Sequence, residues 1–155
     1  MIKHLLKKSM TLPLPLEQVF PFFAQAENLE RITPPEMQFQ YLTPLPIEIK
    51  QDALVEYRIR LYGIPMKWQT KIALWDPPHS FIDEQLKGPY ALWHHEHLFH
   101  EDGQGNTVIE DQVSYALPFS PLGDVAHPIV RWQIERIFKY RQEVTRQFLL
   151  SNHAT

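Results

Sequence analysis

Between Met37 and Leu117 hydrophobic and polar residues alternate one by one, and on either side of that stretch they recur at helical spacing. Leu54 to Tyr62 sets Val55, Tyr57, Ile59 and Leu61 against Glu56, Arg58 and Arg60. Gly63-Ile64-Pro65 reads as a turn, and Met66 to Trp75 returns with Trp68, Thr70, Ile72 and Leu74 on the apolar side. Asp76-Pro77-Pro78 ends that strand; Ser80 to Leu86, Tyr90 to Phe99 and Asn106 to Leu117 continue the series. One-sided alternation of this kind predicts an antiparallel sheet with one face buried and one in water.

Ahead of the sheet, Ile2 to Leu12 reads as a first strand. Pro15 can open a helix, because its missing N–H is not needed there, and Leu16, Val19, Phe20 and Phe23 give that helix an apolar side. A second short helix, Ala26 to Ile32, stops at Thr33-Pro34-Pro35, since proline disfavours helix in the residue before it. Leu122 to Leu150 places Val125, Ile129, Trp132, Ile137, Val144 and Phe148 along one long amphipathic helix, started or bent near Pro128. Trp132 and Phe138 are expected to face the core. Sheet and long helix each carry an apolar face that the other can cover, so the expected class is α+β with that helix laid across the sheet.

One strand is not written like plain core. Ala91-Leu-Trp-His-His-Glu-His-Leu-Phe99 puts Trp93, His95, His97 and Phe99 on one face and Leu92, His94, Glu96 and Leu98 on the other. With Glu101 to Gly105 as the turn, His97 is expected opposite Ile109, His95 opposite Asp111, Trp93 opposite Val113 and Ala91 opposite Tyr115. The turn at Lys87 to Tyr90 brings Gln85 and Asp83 beside Ala91 and Trp93. One face would then gather Tyr57, Trp68, Asp83, Gln85, Trp93, His95, His97, Asp111 and Tyr115.

Three kinds of chemistry fit these residues. The first is structural, with His95 and Asp111 satisfying each other beneath the helix. The second is ligand recognition, with Tyr57, Trp68, Trp93 and Tyr115 as apolar walls and Asp83, Gln85, His95, His97 and Asp111 as polar anchors. The third is catalysis by His95 and Asp111, or a metal on His95-x-His97 with Asp111 or Asp83 as third ligand; no motif singles out either. Gly103-Gln-Gly105 is a hairpin turn, not a phosphate loop, because no helix follows it. Arg131, Arg136, Arg141 and Arg146 alternate with Glu135 and Glu143 and read as a solvated face. No Gly-x-Ser-x-Gly elbow is present.

Composition narrows the field. A chain of 155 residues with 44% hydrophobic and 21% charged residues supports one globular domain, expected over 1–152. A formal charge of -3 gives no electrostatic reason to expect a nucleic acid. Cysteine is absent, which excludes disulfides and thiolate chemistry. Met1 to Lys8 lacks the apolar run of a signal peptide, and no segment approaches the roughly 20 apolar residues of a membrane span. A cytoplasmic protein without stable membrane insertion is expected.

A further set of segments runs Leu14-Pro-Leu-Glu-Gln-Val-Phe20, Asn28-Leu-Glu-Arg-Ile-Thr-Pro-Pro35, Trp75-Asp-Pro-Pro78, Phe81-Ile-Asp-Glu-Gln85 and Gly88-Pro-Tyr90. Trp93-His-His-Glu-His97, Asp111-Gln-Val-Ser-Tyr115 and Ile137-Phe-Lys-Tyr-Arg141 continue it, so that it covers nearly the whole chain. Together these segments resemble the START-like, Bet v 1-like (SRPBCC) superfamily, in particular its polyketide cyclase/dehydrase-type ligand-binding domains. The resemblance implies a helix-grip fold: a curved antiparallel sheet wrapped around a long C-terminal helix, with two short helices after the first strand. It implies binding of a small hydrophobic or amphipathic ligand, such as a lipid, a polyketide-like or an isoprenoid compound, between sheet and helix. Alternatives are a cyclase- or isomerase-like enzyme using the His-Asp pair, and an interaction module whose cavity is filled by its own side chains. No cofactor or metal is expected, and the chain is expected to be a monomer or weak homodimer.

Overall fold

The computed structural model describes Met1 to His153, the last by its backbone alone. Strand β1 (His4–Leu12) leads into two short helices, α1 (Leu16–Phe23) and α2 (Asn28–Arg31), and a 3-10 turn at Pro35–Met37. Strands β2 (Gln40–Tyr41), β3 (Leu54–Leu61), β4 (Ile64–Asp76), β5 (Ser80–Lys87), β6 (Leu92–Glu101) and β7 (Thr107–Ala116) follow. A 3-10 turn at Leu122–Ala126 then feeds α3 (His127–His153). The sheet is antiparallel in the order β1-β7-β6-β5-β4-β3-β2, so chain start and last strand pair side by side.

The hairpins are where the expected register shifts. β3 and β4 turn through Tyr62-Gly63, one residue earlier than the sequence suggests, with φ of 54° and 77°. Positive φ at both central positions is the geometry whose twist matches paired strands, and glycine adopts it without a Cβ penalty. Between β6 and β7 the loop is Asp102 to Asn106. The Asp102 carboxylate accepts from the backbone N–H of Gln104 and Asn106 and from the Asn106 side chain, which tightens the turn. Glu101 therefore still pairs with Thr107, and the whole ladder moves by two: Trp93 lies opposite Tyr115, His95 opposite Val113, His97 opposite Asp111 and Phe99 opposite Ile109. The β5–β6 ladder is displaced the same way, Asp83 opposite His95 and Phe81 opposite His97. A shift of two keeps every side chain on its face.

Two corrections change which residues are buried. In β4 the pairing slips between Ile72 and Leu74, a bulge that leaves Ala73 unpaired and reverses the alternation. Leu74 turns out to solvent, and Trp75 turns in against Phe20 and Phe81. On α3 the covered stripe is Ile134, Phe138, Thr145 and Leu149, whereas Ile129 and Trp132 are exposed, Trp132 by 62%, as is Val125 in the 3-10 turn ahead of the helix. Residues two apart on a helix point about 200° apart, so a stripe through Trp132 and one through Ile134 cannot both face the sheet. The helix begins at His127 with Pro128 in its first turn, where proline is tolerated.

Burial divides into two apolar clusters. One joins Trp68, Trp93, Val113 and Tyr115 to Ile134 and Phe138 of α3. The other joins Leu12, Phe20, Phe22, Phe81, Phe99 and Ile109 to Leu149. On β6, Trp93 belongs to the first and Phe99 to the second, and His95 and His97 stand between them.

Candidate functional site

His95 and His97 are almost fully buried, and their rings stack at 3.6 Å between centroids. Each imidazole spans two carboxylates. His95 Nε2 lies 2.7 Å from Asp111 Oδ1, and His95 Nδ1 lies 3.6 Å from Asp83 Oδ2. His97 Nε2 lies 2.6 Å from the same Asp83 Oδ2, and His97 Nδ1 lies 3.7 Å from Asp111 Oδ1. The His95–Asp111 contact expected from direct pairing is thus made diagonally across the ladder, a reach that long side chains have. Apolar rings close both ends: Phe81 stacks on His97 at 3.9 Å, and Phe138 meets His95 edge-on at 5.3 Å.

The electrostatics follow from burial and from these contacts. Burial drives the His97 imidazole down to about 4, and neighbouring His95 pushes the same way, outweighing the hydrogen bond and charge of Asp83. Burial raises the two carboxyls, but His95, His97 and Arg141 more than offset it. Asp111 is held at about 2, and Asp83 below the ordinary aspartate range. At neutral pH the cluster therefore presents two ionised carboxylates and a neutral His97.

Asp83, His95 and His97 belong to the lining of a cavity of about 170 Å³ between the sheet and α3. Tyr57, Trp68, Tyr90 and Trp93 line it from the sheet, Phe22, Ile32 and Met37 from the α1–α2 corner, and Ile134, Ile137, Phe138 and Arg141 from α3. Of the residues singled out in the sequence, Gln85, Asp111 and Tyr115 do not line it. The Gln85 amide is turned back to the turn before β6, donating to the Tyr90 carbonyl and accepting from its N–H. Asp111 stands behind the imidazoles, and the Tyr115 hydroxyl pairs with His127 at 2.9 Å. Trp68 has a buried Nε1–H with no partner among the described residues, a free donor in a lining side chain.

Two contributors are not evident from the alternation. The α1–α2 corner reads in the sequence only as packing. Arg141 reads as solvated, yet it follows Ile134, Ile137 and Phe138 at i+7, i+4 and i+3, the spacing of the covered stripe. That spacing is the signal available. Its guanidinium also sits over the Phe138 ring at 5.0 Å.

No family model matches the chain, and no curated protein matches it. Solved structures do. The protein TTHA0849 from Thermus thermophilus superposes with a TM-score of 0.78 at 12% identity, over 97% of this chain and 100% of that one. The Zhui aromatase/cyclase from Streptomyces sp. R1128 reaches 0.79 at 16% identity, over 99% and 98%. A START superfamily protein from Mycobacterium smegmatis reaches 0.71 at 10%, over 96% and 98%. The chain has the START/Bet v 1-like helix-grip fold. Identity this low carries the architecture, and the chemistry of this helix-grip cavity must be argued from its own residues. No helix among the described residues is long and apolar enough to cross a membrane.

Proposed function

We propose that this helix-grip protein binds a compact hydrophobic or amphipathic molecule between the sheet and α3. The observation that carries the reading is a largely apolar cavity with a buried polar cluster, Asp83, His95 and His97, in its lining and an unpartnered N–H on the lining Trp68. Such a site suits a ligand with an apolar body and one oxygen- or nitrogen-bearing end. Size narrows it further. An apolar cavity of roughly 150 Å³ accommodates benzene, whereas pockets for drug-sized ligands run to roughly 300–1,000 Å³. At about 170 Å³ this one matches a single substituted ring. A lipid, polyketide-like or isoprenoid molecule of greater length requires α3 or the α1–α2 corner to move outward. The open volume also weighs against an interaction module with a filled interior.

A second reading, a cyclase- or isomerase-like proton transfer, is favoured by one observation: His95 lines the cavity and is held by Asp111 at 2.7 Å. Asp111 would orient the ring and stabilise its protonated form, with His95 exchanging the proton. Native mass spectrometry of gently purified protein, followed by thermal shifts with hydroxy- and keto-substituted single-ring compounds and with long-chain fatty acids, tests the proposal. A ligand at about 100-fold its Kd should add about 2.7 kcal/mol of stability. Substituted rings should stabilise the protein and fatty acids should not. Absence of any stabilisation, with no co-purified molecule, would defeat the binding reading. Exchange of an acidic C–H of a bound ketone with deuterated water, lost in His95→Gln, would favour the enzymatic one.

A further inference from the structure

The same cluster has a geometry that neither a structural ion pair nor an organic ligand requires. One oxygen of Asp83 is approached by a nitrogen from each of two imidazoles, at 2.6 Å from His97 and 3.6 Å from His95. Behind the rings, Asp111 takes the other nitrogen of His95 at 2.7 Å. His95 Nδ1 in turn faces the shared Asp83 oxygen at 3.6 Å, beyond hydrogen-bond reach. Two imidazole nitrogens and a carboxylate oxygen gathered around one point in a largely buried cluster are a donor set of the kind that holds a cation.

We propose that Asp83 Oδ2, His95 Nδ1 and His97 Nε2 bind a divalent transition-metal ion of the zinc type, with Asp111 as the carboxylate that orients His95. The three residues offer ligand atoms all within 4.8 Å of one another. Tetrahedral zinc with bonds of about 2.0–2.1 Å sets its donors roughly 3.3 Å apart. The 3.6 Å pair is close to that spacing already. The 2.6 Å pair widens when the ion replaces the proton that His97 and Asp83 share, a rotation open to Asp83, whose side chain is 21% exposed. A carboxylate behind a ligating imidazole fixes its tautomer and raises its basicity, and the His95–Asp111 bond has that form. Two imidazoles and one carboxylate suit zinc, cobalt, nickel or ferrous iron better than calcium or magnesium, which prefer oxygen. Strands β5 and β6 hold all three ligands on adjacent rungs, so the site is rigid before the ion arrives. Three protein ligands leave a coordination position open, and all three residues line the cavity. An oxygen of the cavity's ligand can take that position.

The metal site stands apart from the choice of organic ligand, and its test uses the metal alone. Full-length protein without a histidine tag, stripped by a chelator and dialysed, is titrated with zinc against a chromophoric competitor. One equivalent should bind. Asp83→Asn and His97→Gln should each weaken it by at least about 100-fold, and Asp111→Asn by about 10–100-fold through loss of the orienting carboxylate. His94→Gln and His100→Gln, on the opposite face of β6, should leave it unchanged. Should the cluster variants fail to fold by circular dichroism, cobalt decides on the wild type alone. Intense visible bands of four-coordinate cobalt, displaced by one equivalent of zinc, are expected. No stoichiometric zinc in the wild type, no such cobalt bands, or a folded His97→Gln that binds zinc like the wild type would overturn the assignment. Binding of substituted rings to the stripped protein would leave the cavity reading intact whatever the metal result.

Discussion

Phe138→Ala probes core and cavity at once. Phe138 is 2% exposed, packs edge-on to His95, lies beneath the Arg141 guanidinium and forms part of the cavity wall. Truncating a buried phenylalanine costs about 3–5 kcal/mol, from lost transfer energy and from the void left behind. Part of this ring already faces open volume and has no partner atoms there to lose, so the lower end, about 3 kcal/mol, is expected. For a domain of this length each kcal/mol moves Tm by roughly 2–4 °C, so the variant should melt roughly 6–12 °C lower. Urea unfolding gives the free energy, and differential scanning calorimetry gives the shift. The void should also join the existing cavity, so a two-ring compound that fails to stabilise the wild type should stabilise the variant. A loss under about 1 kcal/mol, or no gain in tolerance for the larger compound, would refute the placement of Phe138 between core and cavity.

Stability should depend on pH through the cluster. His97 is held at about 4 when folded against an ordinary value near 6.5, so the unfolded chain gains a proton first as pH falls. Stability is fully present above about pH 6.5 and declines toward about pH 4. Asp83 and Asp111, both depressed, add a second decline from the ordinary aspartate range down to about 2, where Asp111 itself titrates. Urea midpoints of chelator-treated protein should fall steadily from about pH 7 to 4, and a flat profile from about 7 to 5 would contradict the burial of His97. Trp68→Phe removes the unpartnered Nε1–H and should change stability by less than about 1 kcal/mol, because loss of a buried unsatisfied donor offsets the smaller ring. It should weaken ligands bearing an acceptor oxygen several-fold in isothermal titration, and a stability loss above about 3 kcal/mol would show that the N–H has a partner.

Much of the architecture can be read from alternation alone. The strand sequence, the two short helices and the long final helix follow from where the period is two and where it is 3.6. The inward face of β3 and β6 is right residue by residue. What alternation cannot carry is anything that adds or removes one position. The extra residue at Ala73 reverses Leu74 and Trp75, and the Asp102 side chain closes its loop one residue later on each strand than composition implies. On α3 a single helix offers more than one apolar stripe, and only packing chooses among them. Periodicity therefore places Trp132 inward and Arg141 outward, the reverse of their positions. The site residues on β5 and β6 are legible because polar side chains interrupt an otherwise apolar face. Gln85 and Tyr115 share that face but are drawn away by local partners, the Tyr90 backbone and His127, which no periodicity encodes.

The cluster's position in the core bears on why it is there. His95 and His97 divide one row of β6 between two apolar clusters, where phenylalanine or leucine would continue the packing without any desolvation penalty. Buried ion pairs rarely outperform apolar residues of similar volume, and replacing them is often neutral or stabilising. Stability alone therefore gives no reason for two carboxylates and two imidazoles at this depth. A single pair would satisfy itself, but here each imidazole is bracketed by two carboxylates, and three of the four residues reach the cavity while the fourth braces them from behind. That division between groups that meet the cavity and one that holds them in place is the arrangement a functional site needs, because an anchoring group is only as well aimed as the bond behind it.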